Sequence, residues 1–233
     1  HKIDEEYVRK MRSSIIIMGA MIGRLEHIEI SHPGGCAIGA RPIDLHLKAL
    51  ESLGVIIEEE DGVINCYREC LKGNDIRFEK TSVGATENAM LAAVKSKGVT
   101  RIYNAAKEPE IEDLQNFLNA MGAKVKGAGT SYIEIEGVEK LGEVEYSVIP
   151  DRIAIGTYMV ASAITGGRLE VEKAIRPHME PISNILRMAG CEIEYTTTGL
   201  NLLSPKIIKA VDLIKTLPHP GFPTDMQSQM MAL

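Results

Sequence analysis

Three segments of the chain repeat one pattern at an interval of 68 residues, and this restricts the fold more than any other feature of the sequence. The first is Arg41-Pro42-Ile43-Asp44-Leu45, continued by Leu50, Leu53, Gly54 and Ile56. The second is Glu108-Pro109-Glu110-Ile111-Glu112, continued by Leu114, Leu118, Met121, Gly122 and Val125. The third is Arg176-Pro177-His178-Met179-Glu180, continued by Ile182, Leu186, Ala189, Gly190 and Ile193. Gly54, Gly122 and Gly190 stand 68 residues apart in both intervals. A fixed period of this length means that one supersecondary unit is used several times.

Each segment predicts a helix with physical start and stop signals. Proline suits the first helical turn, where its missing N–H costs nothing. Apolar residues at three- and four-residue spacing form one stripe. Glycine then fits the left-handed position that ends a helix. Strands are expected after these helices at 55–59, 123–126 and 191–195. Asp61-Gly62 is a hairpin turn signal, and residues 132–136 alternate apolar and acidic as a half-buried strand does. A second helix belongs to each unit, at 13–24, 85–97 and 153–165. These are rich in Ala, Met and Ile, uncharged in their middles, and expected to be buried on most sides. Strands follow them at 27–31, 100–104 and 168–172. A fourth unit opens at Pro223-Thr224-Asp225 and runs into a helix-like segment at 226–233. Buried helices with amphipathic strands predict an α/β protein with helices inside and sheets outside; periodicity alone leaves other α/β architectures open.

Composition narrows the functional classes. The chain has 233 residues, is 45% apolar and 25% charged, and carries a net charge of −6. This is a globular composition, and the acidic balance argues against a nucleic-acid partner, which favours a basic stripe. No stretch approaches the ~20 apolar residues of a membrane span. His1 is followed by charges and not by an apolar signal core. The absence of Met at position 1 and the incomplete last unit are what a piece of a longer protein would show.

The four cysteines, Cys36, Cys66, Cys70 and Cys191, fit neither a redox pair nor a zinc ribbon. They are expected to be separate reduced thiols, with Cys66 and Cys70 on one side of a strand-like stretch. Cys36 stands apart, in Pro33-Gly34-Gly35-Cys36-Ala37-Ile38-Gly39-Ala40-Arg41-Pro42. This loop is also where the repeat breaks. Ile30 to Pro42 is 12 positions, against 7 and 6 at the matching places of the other units. Loops added to a rigid scaffold often carry function, although a surface loop with an incidental thiol reads the same. A second regularity is that Arg12, Ser82 and Asp225 fall at equivalent starts of the apolar helices. Helix starts attract anions, and Lys80-Thr81-Ser82-Val83-Gly84 adds a cation, two hydroxyls and a glycine. An ordinary N-cap with a solvated lysine has the same sequence, and Asp225 equally suits a helix start on dipole grounds.

Four signatures together resemble the UDP-N-acetylglucosamine enolpyruvyl transferases (1-carboxyvinyltransferases). They are Met11-Arg12-Ser13-Ser14, the loop from Pro33 through Arg41-Pro42-Ile43-Asp44-Leu45-His46, Lys80-Thr81-Ser82-Val83-Gly84-Ala85-Thr86, and Phe222-Pro223-Thr224-Asp225-Met226-Gln227. Asn104-Ala105-Ala106-Lys107-Glu108-Pro109 adds to the match, while Ile16 stands where that family often has tryptophan. The resemblance implies an inside-out α/β barrel of two similar domains, with residues 1–149 supplying most of one and 150–233 beginning the other. It implies transfer of the enolpyruvyl group of phosphoenolpyruvate to the 3-hydroxyl of UDP-N-acetylglucosamine with release of phosphate, the first committed step of peptidoglycan synthesis in the bacterial cytoplasm. By the same resemblance Cys36 is the proton donor and the thiol alkylated by fosfomycin. Arg41 pairs with the phosphate of phosphoenolpyruvate, and Asp225 accepts a proton from the sugar hydroxyl or orients it. Arg12, Arg41, Pro42, Ile43, Asp44, Leu45, Lys80, Thr81, Ser82, Val83, Gly84 and Asp225 hold the substrates. No cofactor, metal, nucleic acid or membrane is implied, and a chain of this length is expected to be inactive alone. The alternatives are a transferase acting on shikimate 3-phosphate and a non-catalytic UDP-sugar-binding paralogue.

Overall fold

The computed structural model describes residues 2–34 and 42–233, so Cys36 and Arg41 lie outside the described residues. The chain divides into two units, His1–Tyr146 and Ser147–Leu233.

In the first unit, helix α1 (Glu5–Lys10) leads to a 3-10 turn (Arg12–Ile16) and helix α2 (Ile17–Ile22). Strand β1 (His27–Ser31), helix α3 (Asp44–Ser52) and strands β2 (Ile56–Glu60) and β3 (Val63–Tyr67) complete one repeat. The next comprises β4 (Asp75–Arg77), α4 (Val83–Ala93), β5 (Val99–Tyr103), α5 (Pro109–Ala120), β6 (Lys124–Lys126) and β7 (Tyr132–Glu136). The second unit holds α6 (Arg152–Thr165), β8 (Arg168–Glu172), α7 (Arg176–Met188), β9 (Glu192–Tyr195), β10 (Gly199–Leu203), a 3-10 turn (Thr224–Met226) and α8 (Gln227–Ala232). Among the described residues no helix is long and apolar enough to cross a membrane.

The repeat is visible in the strand order. The sheets run β1-β3-β2, β4-β5-β7-β6 and β8-β10-β9. In each, the strand after the first helix pairs with the last strand, whose other edge takes the strand after the second helix. These pairings are antiparallel, and only the additional β4 joins its neighbour in parallel. Register places the apolar residues together: Ile30 faces Ile64, Ile102 faces Ile133, and Leu169 faces Leu202. The outward residues are charged. Lys126, Glu134, Arg101 and Asp75 form a ladder across the four-stranded sheet, with contacts of 2.9, 3.3 and 3.8 Å. These pairs are solvent-exposed, so they contribute little stability and mainly keep that face wet.

The punctuation expected from the sequence is present. Gly54, Gly122 and Gly190 follow their helices at φ of 92°, 98° and 101°. Asp61 and Gly62 form the two-residue turn between Glu60 and Val63, both with positive φ, as a primed hairpin turn requires. Pro109 opens α5 and Pro177 is the second residue of α7; Pro42 instead lies two residues ahead of α3.

Three expectations need correction. The first apolar helix does not start as an α-helix. Ser13, Ser14 and the run of isoleucines have modest helix propensity, and the Ser14 hydroxyl bonds the carbonyls of Val8 and Met11, tightening this stretch into a 3-10 turn. Cys66 and Cys70 do not share a strand. β3 ends at Tyr67 opposite His27, the Arg68 N–H makes one further bond to the Glu26 carbonyl at 2.9 Å, and Cys70 lies beyond the strand. Helix α6 is not buried on most sides. Met159, Val160 and Ala163 are buried, but Tyr158 and Ile164 are 67% and 50% exposed. In the second unit α6 meets α7, α8, the 3-10 turn and strands β8 and β10, which leave Tyr158 and Ile164 uncovered.

By contrast α4 is enclosed by α2, α3, α5 and the Arg12–Ile16 turn. Seven of its side chains are buried, most of them alanines, so its neighbours approach closely. Gly19 of α2 marks the tightest approach, because a Cβ there would collide with the Asn88 carbonyl oxygen and side chain. Gly19→Ala is expected to cost about 3 kcal/mol or more, at the upper end for overpacking. Gly62→Ala meets no atom within 4 Å and is expected to cost about 1–2 kcal/mol from its left-handed backbone alone. Denaturant unfolding of both variants checks this ranking; equal effects would contradict it.

Candidate functional site

Three helix starts meet at one place in the first unit. Arg12 opens the 3-10 turn ahead of α2, Asp44 opens α3, and Ser82 caps α4. The Arg12 guanidinium donates to the Pro42 carbonyl at 3.2 Å, which joins the first of these starts to the segment entering α3. Gly84, in the first turn of α4, lies so close to His46 that a Cβ would be 3.0 Å from Cε1 and 3.4 Å from Nε2. Lys48 of α3 reaches Glu79, next to Lys80, at 3.9 Å. The structure therefore gathers Arg12, residues 42–45 and residues 80–84 around one end of three packed helices. Pro42, Asp44 and Lys80 face solvent there, whereas Ile43 and Leu45 are buried anchors.

The segment entering α4 is held from behind. Asn104 adopts a left-handed backbone at φ 57°, which asparagine tolerates better than most residues. Its Nδ2 donates to the Phe78 carbonyl at 3.0 Å, and its Oδ1 lies 3.2 Å from the Thr81 hydroxyl, which donates to it. The Thr86 hydroxyl donates to the Ser82 carbonyl at 2.8 Å and accepts from the Ala106 N–H at 3.1 Å. Ser82 Oγ accepts the Ala85 N–H at 3.3 Å. The N–H groups of Val83 and Gly84 belong to the first turn, where the α-helical ladder provides no partner. With Arg12 and Lys80 nearby, this end of α4 has the donors and positive potential that suit a diphosphate.

Asp225 is placed in the second unit, in the 3-10 turn Thr224–Met226, and is exposed. The turn is anchored by Met226, whose Sδ lies 3.0 Å from where a Gly156 Cβ would be. Gln229 Nε2 also donates to Thr157 Oγ1 at 2.9 Å. The corresponding start of α6 is different in kind. Asp151 accepts the N–H groups of Ile153 and Ala154 at 2.8 and 3.0 Å and acts as a helix cap.

Two buried polar residues near the site were not singled out in the sequence. Asn88 is fully buried in α4, and His46 is 7% exposed in α3. The Asn88 Oδ1 accepts the Gly19 N–H at 2.5 Å, its Nδ2 donates to the Ile15 carbonyl at 3.0 Å, and the same Nδ2 lies 3.1 Å from His46 Nδ1. Because the Gly19 N–H requires the amide oxygen, the amide nitrogen faces His46, so Nδ1 accepts and the ring proton sits on Nε2. The polar run Thr86-Glu87-Asn88 inside a helix otherwise rich in alanine was the available signal. Cys66 is an inert core thiol, pushed up to about 12 by burial. Cys66, Cys70 and Cys191 are free cysteines.

Burial, helped by the neighbouring Arg12 charge and opposed by Asp44, holds His46 down at about 4. The unfolded chain therefore takes up a proton below 6.5 that the folded chain refuses. This contribution to stability is complete above pH 6.5 and is lost as pH falls towards 4, on the order of 3 kcal/mol at 1.36 kcal/mol per unit. Glu87 behaves oppositely: burial, then Glu110 and Glu108, raise it to about 7. Its contribution is present below 4.5 and is lost as pH rises through 7. Relative to the parent chain, His46→Gln is expected to gain in melting temperature as pH falls from 6.5 to 4. Glu87→Gln is expected to gain as pH rises from 4.5 to 7. Thermal unfolding from pH 4 to 8 checks both, and pH-independent differences would contradict them.

The EPSP synthase (3-phosphoshikimate 1-carboxyvinyltransferase) family matches residues 1–233. The chain is 55% identical over 232 residues to UDP-N-acetylglucosamine 1-carboxyvinyltransferase 2 of Caldanaerobacter subterraneus, covering all of this chain and 56% of that protein. It is 52% identical over 233 residues to UDP-N-acetylglucosamine 1-carboxyvinyltransferase 1 of Symbiobacterium thermophilum, covering 53% of it. The chain thus spans about half the length of the curated relatives it matches. Among solved structures, the enolpyruvyl transferase NikO from Streptomyces tendae superposes with a TM-score of 0.78 at 18% identity, over 98% of this chain and 55% of that one. EPSP synthase from Acinetobacter baumannii gives 0.61 at 22% identity, over 82% and 46%. The α/β fold is that of the enolpyruvyl transferases, and the chain belongs to the EPSP synthase (3-phosphoshikimate 1-carboxyvinyltransferase) family.

Proposed function

We propose that the whole protein carrying this sequence transfers the enolpyruvyl group of phosphoenolpyruvate to the 3-hydroxyl of UDP-N-acetylglucosamine, opening peptidoglycan synthesis in a bacterial cytoplasm. The observation that carries this reading is the convergence of Arg12, residues 42–45 and residues 80–84, in a chain 52–55% identical along its whole length to transferases of that name. The finer architecture belongs to the same proposal: an inside-out α/β barrel of two similar domains, with residues 1–149 in one and 150–233 in the other. Three sheets of one strand order around apolar helices support it. So does the exposed face of α6, which further repeats of the whole protein would cover.

The proposed reaction is an addition followed by an elimination. The sugar oxygen adds to C2 of phosphoenolpyruvate while a proton is delivered to the C3 methylene, giving a tetrahedral ketal. Loss of a proton from C3 then expels phosphate and restores the double bond. Cys36 supplies the proton, and Asp225 takes or orients the hydroxyl proton. Arg41 pairs with the phosphate of phosphoenolpyruvate in the two-pronged geometry that a guanidinium favours. Arg12, Asp44, Lys80, Thr81 and the first turn of α4 hold the UDP-sugar, with Pro42, Ile43, Leu45, Ser82, Val83 and Gly84 shaping its bed. No cofactor or metal is part of this proposal.

The test is phosphate release by the whole protein with phosphoenolpyruvate and UDP-N-acetylglucosamine. Turnover is expected only when both are present. Asp225→Asn is expected to lower kcat by about 10²–10⁴, the usual worth of a positioned acid or base, while KM for the UDP-sugar changes less. Turnover with shikimate 3-phosphate instead, or UDP-sugar binding without phosphate release, would replace this reading with one of the two alternatives.

A further inference from the structure

We propose that Asn88 is a positioning residue for the UDP-sugar site, its buried side chain setting the spacing between the helix starts that carry Arg12, residues 42–45 and residues 80–84. The inference rests on the proposed function for the identity of the ligand, but its geometry stands independently.

Asn88 lies wholly inside the first unit and touches no solvent. One amide group reaches three elements. Its oxygen accepts from Gly19 of α2, and its nitrogen donates to the Ile15 carbonyl in the 3-10 turn and faces His46 Nδ1 of α3. Each contact lies a short way along the chain from a site segment. Ile15 is three residues after Arg12, His46 directly follows Leu45, and Asn88 is four residues, about one helical turn, after Gly84. Gly84 in turn abuts the His46 ring. Apart from Thr86, the other buried residues of α4 are apolar: Ala85, Ala89, Met90, Ala92 and Ala93. Apolar contacts of this kind are not directional, so helices packed on alanine can slide along one another. A hydrogen bond has a fixed length and direction, and a buried amide left without partners is costly. Only one relative placement of the three helices satisfies all three contacts. The same contacts keep the His46 proton on Nε2, the nitrogen turned towards the first turn of α4.

The experiment compares Asn88→Asp and Asn88→Ser with the parent. Asp keeps an acceptor for the Gly19 N–H and loses the donor to Ile15 and His46; Ser is too short to reach all three elements. In the 233-residue chain, amide hydrogen exchange of both variants is expected to rise about tenfold together in three places: Ile15 to Gly19, His46 to Ala49, and Val83 to Asn88. Exchange in β5 and β7 is expected to stay unchanged. In the whole protein, KM for UDP-N-acetylglucosamine is expected to rise about tenfold, with kcat at saturation and KM for phosphoenolpyruvate within about twofold, the signature of lost uniform binding. Faster exchange confined to α4, an unchanged KM for the UDP-sugar despite lowered stability, or loss of folding in both variants would overturn the inference, since each makes Asn88 a residue of general stability. If the parent protein shows no turnover with UDP-N-acetylglucosamine, the proposed function fails, whereas the exchange pattern still decides whether Asn88 couples the three helix starts.

Discussion

The enclosure of α4 is the constraint on which the first unit depends. A helix surrounded by other helices must be thin, and it must satisfy its polar groups without water. Alanine at positions 85, 89, 92 and 93 supplies the thinness, and glycine at position 19 lets α2 come close enough to place its backbone N–H against a side chain of α4. Of its fully buried polar groups, Asn88 spends its hydrogen bonds on neighbouring elements, and Thr86 donates to the Ser82 carbonyl of its own helix start while accepting from the Ala106 N–H. The interior is therefore stitched as well as packed. The stitches lie within two turns of the end where the candidate binding residues gather, so the rigidity of the core is passed directly to the site.

Charge is sorted by the same geometry. Helices turned inward leave the strands to meet solvent, and there acidic and basic residues pair across the sheet in a ladder from Asp75 to Lys126. Those pairs shed most of their mutual attraction into water. At the helix starts the balance differs. Arg12 and Lys80 stand beside first-turn N–H groups, and the imidazole behind them is kept neutral by burial and by Arg12 itself. A neutral His46 adds no charge that a ligand would have to accommodate, yet still carries a ring proton. Glu87 is raised to about 7 by burial and by Glu110 and Glu108, so a carboxyl one turn inside α4 cancels less of the positive potential at its start than an ordinary carboxylate would.

Much of this was legible in the sequence, and the reasons are local. Gly54, Gly122 and Gly190 need a left-handed backbone wherever they sit, and Asp61-Gly62 prescribes its turn without help from the rest of the chain. Arg12, residues 42–45 and residues 80–84 were legible as site candidates because they form short contiguous motifs. What escaped is set by distant partners. The Ser14 hydroxyl bends the start of the first apolar helix because the Val8 carbonyl lies within reach. Cys70 lies outside the sheet because β3 ends at Tyr67, three residues short of it. The composition of α6 resembles that of α4, yet one face is exposed, because burial depends on how completely neighbours surround a helix and not on its own residues. Asn88 and His46 are 42 positions apart, and no periodicity links them.

The departures from repeat symmetry lie in the first two repeats. Five residues separate β5 from α5 and three separate β8 from α7, but twelve separate β1 from α3, and that span contains Cys36 and Arg41. The second repeat carries a different addition. Strand β4 runs parallel along the edge of β5, and from it the Phe78 N–H and carbonyl bond the Tyr103 carbonyl and Asn104 side chain. This short strand has no counterpart among the other described sheets. It guides the chain towards the α4 start, where Asn104 bonds the Phe78 carbonyl and the Thr81 hydroxyl on either side of Lys80. The third repeat lacks both additions, and Asp151 at its helix start caps the N–H groups of Ile153 and Ala154. A scaffold that repeats can tolerate such insertions because each unit buries its own strand pairs. The two repeats that carry them sit side by side around α4, where Asn88 ties their helices together.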